Sequence, residues 1–252
     1  MRKLVLLAAL FSPLVLAESI SVAPHSLLRL PNKSSVVHLQ RLHVADAATL
    51  LLPASLVELK VDELQLGQEA RIAIAPAEST LRVEVARAQL GEGSQIAARG
   101  APGTYERAAL AGRNLDLQLH AVQAPLLAID ARGGAGAPGY VGLDGANGKA
   151  GGCTWGQASR GANGDNGGDG HDGAAGGRVR LALPADFPAE RIKVQLDGGA
   201  PGVAGAAGKP GAGGASKGCL VYRTAAGAPG KPGVAGQPGL AGNAGELILQ
   251  RL

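Results

Sequence analysis

Glycine stands at every third position in four separate stretches of this chain, and few sequence features restrict a backbone so tightly. The first stretch carries Gly133, Gly136, Gly139, Gly142, Gly145, Gly148 and Gly151, and the second Gly161, Gly164, Gly167, Gly170, Gly173 and Gly176. The third carries Gly199, Gly202, Gly205, Gly208, Gly211 and Gly214, and the fourth Gly227, Gly230, Gly233, Gly236, Gly239, Gly242 and Gly245. A polyproline-II-like chain has three residues per turn and makes no internal hydrogen bonds. Glycine at that interval lines one edge of such a leg, where a second backbone can approach and accept the exposed N–H groups. A leg of this length would reach roughly 50 to 60 Å at about 3.1 Å per residue. Ordering glycine is entropically costly, so close packing and backbone hydrogen bonds between legs must offset that cost.

The legs are excursions and not a tail. Residues 26–131 hold short segments that alternate aliphatic and polar side chains, such as Leu81-Arg82-Val83-Glu84-Val85, the pattern of half-buried strands. The same pattern returns between the legs at 178–183 and 192–197, and again at 246–251. The inward positions are almost all Val, Leu, Ile or Ala, which suits the narrow interior of a β-solenoid, with a small sandwich as the competing architecture. No strict repeat length is apparent in the base. The fold expected is therefore all-β, with a base at 18–132 and a bundle at 133–252 formed by two antiparallel hairpins, 133–177 and 198–245. An intrachain bundle is favoured over a collagen trimer, because the legs come in matched pairs and re-enter strands.

Here the chain resembles known families. The legs are similar to the glycine-rich domain of T-even-type phage tail-fibre adhesins and to springtail glycine-rich antifreeze proteins. Gly-Ala-Pro-Gly at 136–139, Gly-Lys-Pro-Gly at 208–211 and the triplets of 230–239 resemble bacterial collagen-like surface proteins. The resemblance covers about residues 133–245 and is architectural. It implies a polyglycine-II-like bundle in a surface or adhesive role.

The start of the chain reads as a signal peptide: Arg2 and Lys3, an apolar run from Leu4 to Leu16, and cleavage after Ala17. Export to the periplasm, the cell surface or the medium follows. That run is too short for a membrane span, and no other stretch approaches about 20 apolar residues. Taking Arg2 and Lys3 off the 24 basic residues leaves 22 against 20 acidic ones. This balance points away from nucleic acid as a partner. Two cysteines in an exported chain predict one disulfide, Cys153 to Cys219, joining the hairpin tips at 152–160 and 215–226. Trp155 and Tyr222, with Arg160, Lys217 and Arg223 nearby, are the candidate binding residues of those tips.

Catalytic chemistry is sparse. Gly167-Gly168-Asp169-Gly170-His171-Asp172 resembles one nonapeptide calcium repeat without a tandem copy. Asp165, Asp169 and Asp172 are its candidate Ca2+ ligands, and a solvated acidic edge is the plainer expectation, with no cofactor required. Glu58, Asp62, Glu63 and Asp116 read as outward charges, and no nucleophile, phosphate-loop or zinc motif is present. The expected role is non-catalytic: a structural or adhesive protein presenting its tip to a protein, glycan or surface, with assembly into a larger fibre or envelope structure open. The alternatives are ice or surface-water binding, a collagen-like trimeric stalk and, last, a polysaccharide-active solenoid enzyme.

Overall fold

The computed structural model describes residues 18–32, 34–154 and 156–252. The expected signal peptide and Trp155 lie outside the described residues. Strands β1 (Ser19–Val22), β2 (Leu27–Arg29), β3 (Val36–Val44), β4 (Thr49–Leu52), β5 (Glu58–Leu66), β6 (Arg71–Ile74) and β7 (Leu81–Leu90) are closely spaced. They are followed by β8 (Gln95–Ala97), β9 (Leu115–Gln123), β10 (Leu127–Asp130), β11 (Val179–Leu183), β12 (Ile192–Gln195) and β13 (Leu247–Arg251). The returning strands expected at 178–183, 192–197 and 246–251 are β11, β12 and β13, each slightly shorter than expected.

Odd-numbered strands form one sheet in the order β1-β3-β5-β7-β9-β11-β13, and even-numbered strands form a second in the order β12-β10-β8-β6-β4-β2. Every pairing is parallel. The protein is thus nearly all β, and neither sheet closes into a barrel.

Strand pairing recurs along the chain at an interval that is not constant. Strand partners lie 22 residues apart at Ser19–Arg41 and Val36–Glu58, then 24 apart at Glu58–Arg82. The interval widens to 34 at Leu81–Leu115, to 64 at Leu115–Val179 and to 68 at Val179–Leu247. The first corner, from odd strand to even strand, is three or four residues long in the first five circuits and eight, 184–191, in the last. It turns on a left-handed residue at His25 (φ 55°), Ala47 (φ 52°), Glu69 (φ 53°) and Gly93 (φ 70°). The local costs differ: glycine adopts this conformation freely, whereas His, Ala and Glu there are strained. Stacked amides hold these turns, with the Ala47 N–H donating to Gln68 C=O and the Glu69 N–H to Glu92 C=O, both at 2.8 Å. Val22, Val44, Leu66 and Leu90 precede the turns and form a buried column, and Leu50, Ile72 and Ile96 follow them in another. Each aliphatic side chain so buried is worth roughly 1.5–3 kcal/mol.

Most of the widening occurs at the second corner, from even strand to odd strand. There the connections run 30–35, 53–57 and 75–80, then 98–114, 131–178 and 196–246. Three successive circuits therefore send out an excursion from the same corner. The first, containing Gly100, Gly103 and Tyr105, is joined to the second, because the Gly100 and Gly103 amides reach Arg132 C=O and Ala135 C=O at 2.8 Å, and Gly134 N–H reaches Leu110 C=O.

A carboxylate pins the roots of these two excursions. Asp130, fully buried at the end of β10, accepts from Arg99 Nε at 2.6 Å and from Arg132 Nε and Nη2 at 3.0 Å. Burial pushes its carboxyl up, but hydrogen bonds from Arg132 and Arg99 outweigh that and hold it below the ordinary aspartate value. A depressed folded value stabilises the native state above the unfolded value and loses that stabilisation as pH falls through the folded one. Stability should therefore fall on acidification below about pH 4. Asp130→Asn should flatten this part of a pH-denaturation profile, and an unchanged profile would remove Asp130 from the account.

Candidate binding tip

The four glycine legs hydrogen-bond to one another with a three-residue repeat. Glycine amides of the first leg donate to the third in parallel register, as in Gly136 to Ala200, Gly139 to Val203 and Gly142 to Ala206. Second-leg amides run antiparallel to the first, as in Ala162 to Ala146, Asp165 to Leu143 and Gly168 to Tyr140. The third leg donates to the second (Gly202 to His171, Gly205 to Gly168), and the fourth to the third (Gly233 to Gly208, Gly236 to Gly205). The second leg also donates to the fourth in parallel register, as in Gly164 to Lys231 and Gly167 to Val234. The two shorter legs are thus interior and the two longer ones outer, and every third-leg register glycine is buried.

Glycine is required there by contact. A Cβ on Gly139 or Gly205 would overlap a carbonyl oxygen of the neighbouring leg. The off-register Gly168 lies beneath the Tyr140 ring, and Gly213 against Gly227 C=O.

A side-chain ladder reinforces the second and fourth legs. Asn163 and Asn166 Oδ1 accept the Lys231 and Val234 amides at 2.8 Å. Asp169 and Asp172 Oδ1 accept those of Gln237 and Leu240 at 2.7 and 2.6 Å. Two of the three calcium candidates are therefore committed to backbone amides, in place of the free acidic edge expected. Asp165 is exposed, with its backbone N–H and C=O in the lattice. Among the described residues no group of His, Cys, Asp or Glu side chains is placed to hold a metal ion.

At the far end from the sheets, Cys153 and Cys219 form the expected disulfide, with a Cα–Cα distance of 5.6 Å. Closing 66 residues of chain separation contributes about 4 kcal/mol by the chain-entropy estimate. Lys217 N–H and Thr224 N–H bond across the second tip at 2.9 Å, and Gly218 bridges Arg223. The Cys219 N–H donates to Tyr222 C=O at 2.7 Å. Tyr222 is half exposed, and its hydroxyl donates to Cys153 C=O, so it ties one tip to the other. Arg160 Nε donates to Pro229 C=O at 3.3 Å. Lys217 and Arg223 project into solvent.

No family model, curated protein or solved structure gives a significant match to this chain. The site must be read from its own geometry.

That geometry adds two features absent from the sequence-derived candidates. Leu220 and Val221 form the apex of the second tip and are essentially fully exposed, at 104% and 90%. The aliphatic pair between Cys219 and Tyr222 was the available signal. An open groove of about 920 Å³ also lies at the first corner, lined by His43, Gln65, Gln89, Gln123, Phe187 and Arg191 among others. Its amides align through strand register, Gln65 with Gln89 and Gln89 with Gln123. Separate strands carry them, so only the repeat length could have brought them together.

Proposed function

We propose that this chain is an exported, non-catalytic structural and adhesive protein. A two-sheet β-solenoid base carries two hairpins of polyproline- or polyglycine-II-like legs, which hold a disulfide-clamped tip away from the base. The observation that carries this reading is the Cys153–Cys219 link between two tips at the end of a four-leg lattice rooted in both sheets. Such an arrangement holds the tip loops in fixed geometry, and loops on a rigid scaffold are where binding residues usually sit.

Supporting this, the glycine amides find acceptors within one polypeptide, which favours a self-contained bundle over a collagen-like trimer. The reading accords with the likeness of the legs to the glycine-rich domain of phage tail-fibre adhesins and to bacterial collagen-like surface proteins. Among the carboxylates of the base, Glu63 is held between two arginines, which favours a structural role for it over that of a general acid. Hydrogen bonds from Arg87 at 2.7 Å and Arg41 at 3.1 Å lower the Glu63 pKa, which makes it a poor proton donor. A signal peptide over 1–17 would deliver the chain to the envelope or beyond.

The test is attachment of beads coated with the mature protein, or of cells producing it, to candidate surfaces. Trp155→Ala combined with Tyr222→Ala should leave the melting temperature of the base unchanged and abolish attachment. Undiminished attachment by the double variant would reject the tip as the contact.

A further inference from the structure

The tip combines an apolar apex with a one-sign charge collar. Leu220 and Val221 bury almost nothing, and Tyr222 beside them is half exposed. Lys217 and Arg223 flank them on the same tip, and Lys149 and Arg160 stand where the first hairpin reaches its tip, all exposed. Residues 145–164 and 206–234, which form both tips and the adjoining leg ends, contain no Asp or Glu. The acids of the legs begin at Asp144, whose Oδ1 accepts the Lys209 N–H at 2.7 Å, and at Asp165, and continue rootward at Asp169 and Asp172, so the ends beyond them carry cations alone. Charge is therefore segregated along the bundle.

We infer that this tip inserts into the headgroup region of an anionic lipid bilayer; the inference rests on the reading of the bundle as a tip-presenting device and names its surface. A bilayer interface supplies both complements at once. Aliphatic side chains gain by leaving water at the acyl boundary, and Lys and Arg are drawn to the negative surface while their stems lie along apolar matter. Tyr222 is of the residue type enriched at that depth. A neutral glycan would leave the collar without a counterpart, and a purely anionic polymer would leave Leu220 and Val221 in water. The disulfide and the leg lattice present the apex already ordered, so little conformational entropy is lost on contact. Each cation near an anionic surface accounts for roughly a fivefold gain in partitioning, and the collar supplies several.

The experiment is co-sedimentation of the mature, disulfide-bonded protein with vesicles of phosphatidylcholine alone or mixed with phosphatidylglycerol. Binding should require phosphatidylglycerol and weaken as salt rises. Leu220→Ser with Val221→Ser should lower partitioning at least tenfold, and Lys217→Gln with Arg223→Gln should lower it by a similar factor while reducing the salt dependence. Both pairs are exposed, so the variants should keep the 153–219 disulfide in peptide mapping. No binding to phosphatidylglycerol vesicles, or equal binding by the Leu220/Val221 variant, overturns the inference. If vesicles are not bound yet the Trp155/Tyr222 variant still abolishes attachment, the lipid assignment falls and the adhesive reading stands. If vesicles are not bound and attachment is also undiminished in that variant, both fall.

Discussion

Gly205→Ala should unravel the glycine bundle while leaving the two sheets folded, a loss of about 5 kcal/mol from adding one methyl group. Gly205 sits in the third leg, which takes backbone contacts from all three others. An added Cβ would overlap Tyr140 C=O and lie 2.9 Å from the Gly168 amide nitrogen. Both obstacles are backbone and are bonded to each other, Gly168 N–H to Tyr140 C=O at 2.8 Å, while the Gly205–Gly168 and Gly236–Gly205 hydrogen bonds, at 2.9 and 3.0 Å, hold Gly205 against them. No rotamer change relieves such a clash. Overpacking typically costs 1–3 kcal/mol where side chains can move. Here it adds to two hydrogen bonds at about 1 kcal/mol each, and the rigid surroundings place it at the upper end. The control is the same substitution at Gly218, where a Cβ meets nothing within 4 Å. Hydrogen exchange should show protection lost over 133–176 and 199–245 in Gly205→Ala, retained over 36–123 and in β11 and β12, and unchanged in Gly218→Ala. Protected leg amides in Gly205→Ala would mean that the legs are not held by close backbone approach.

The legs were legible because their constraint is one-dimensional: a three-residue glycine interval in a polyproline-II-like chain puts all glycines on one edge. Their partnership was not, since nothing in Gly202 or Gly233 states which leg lies beside it. The strands were legible from alternation in segments such as Leu81-Arg82-Val83-Glu84-Val85. The 22-residue circuit was harder to see because its marker is a left-handed corner residue. Those positions hold His25, Ala47, Glu69 and Gly93, and only the last announces itself. At the tip, the disulfide followed from two cysteines at two hairpin ends. The exposure of Leu220 and Val221 did not, because aliphatic residues between a cysteine and a tyrosine ordinarily read as packing. Asp169 and Asp172 read in sequence as a solvated acidic edge, with calcium ligation the weaker alternative, and in space each lends one oxygen to an amide of the fourth leg.

Arg113 was invisible in the sequence, and it underlies the second large effect. Its side chain has no solvent exposure and no carboxylate among its partners. It stands just before β9 and reaches back to the corner connections of the two preceding circuits. Its guanidinium donates to the carbonyls of Ser79 at 3.0 Å, Ala54 at 3.2 Å, Ala75 at 3.3 Å, Pro53 at 3.4 Å and Leu56, and to Ser79 Oγ at 3.2 Å. Burial lowers its pKa, yet the group remains a cation, and the five N–H donors of a planar fork match a ring of carbonyl dipoles. These carbonyls face inward at the corner that feeds the excursions, so removing the arginine orphans them where no strand supplies a replacement. Each orphan costs about 1–3 kcal/mol, reduced where water can enter the vacated space. Arg113→Met should therefore destabilise the protein by about 5 kcal/mol. Arg113→Lys, which keeps the charge but has three donors at one point, should recover roughly half. Unlike Gly205→Ala, this loss should appear in the denaturation of the sheets themselves, because the corners at 53–56 and 75–79 belong to β4–β5 and β6–β7. If Arg113→Met melts within about 1 kcal/mol of the wild type, the buried cation is a passenger, and the corner is held by its aliphatic neighbours such as Leu56 and Leu81.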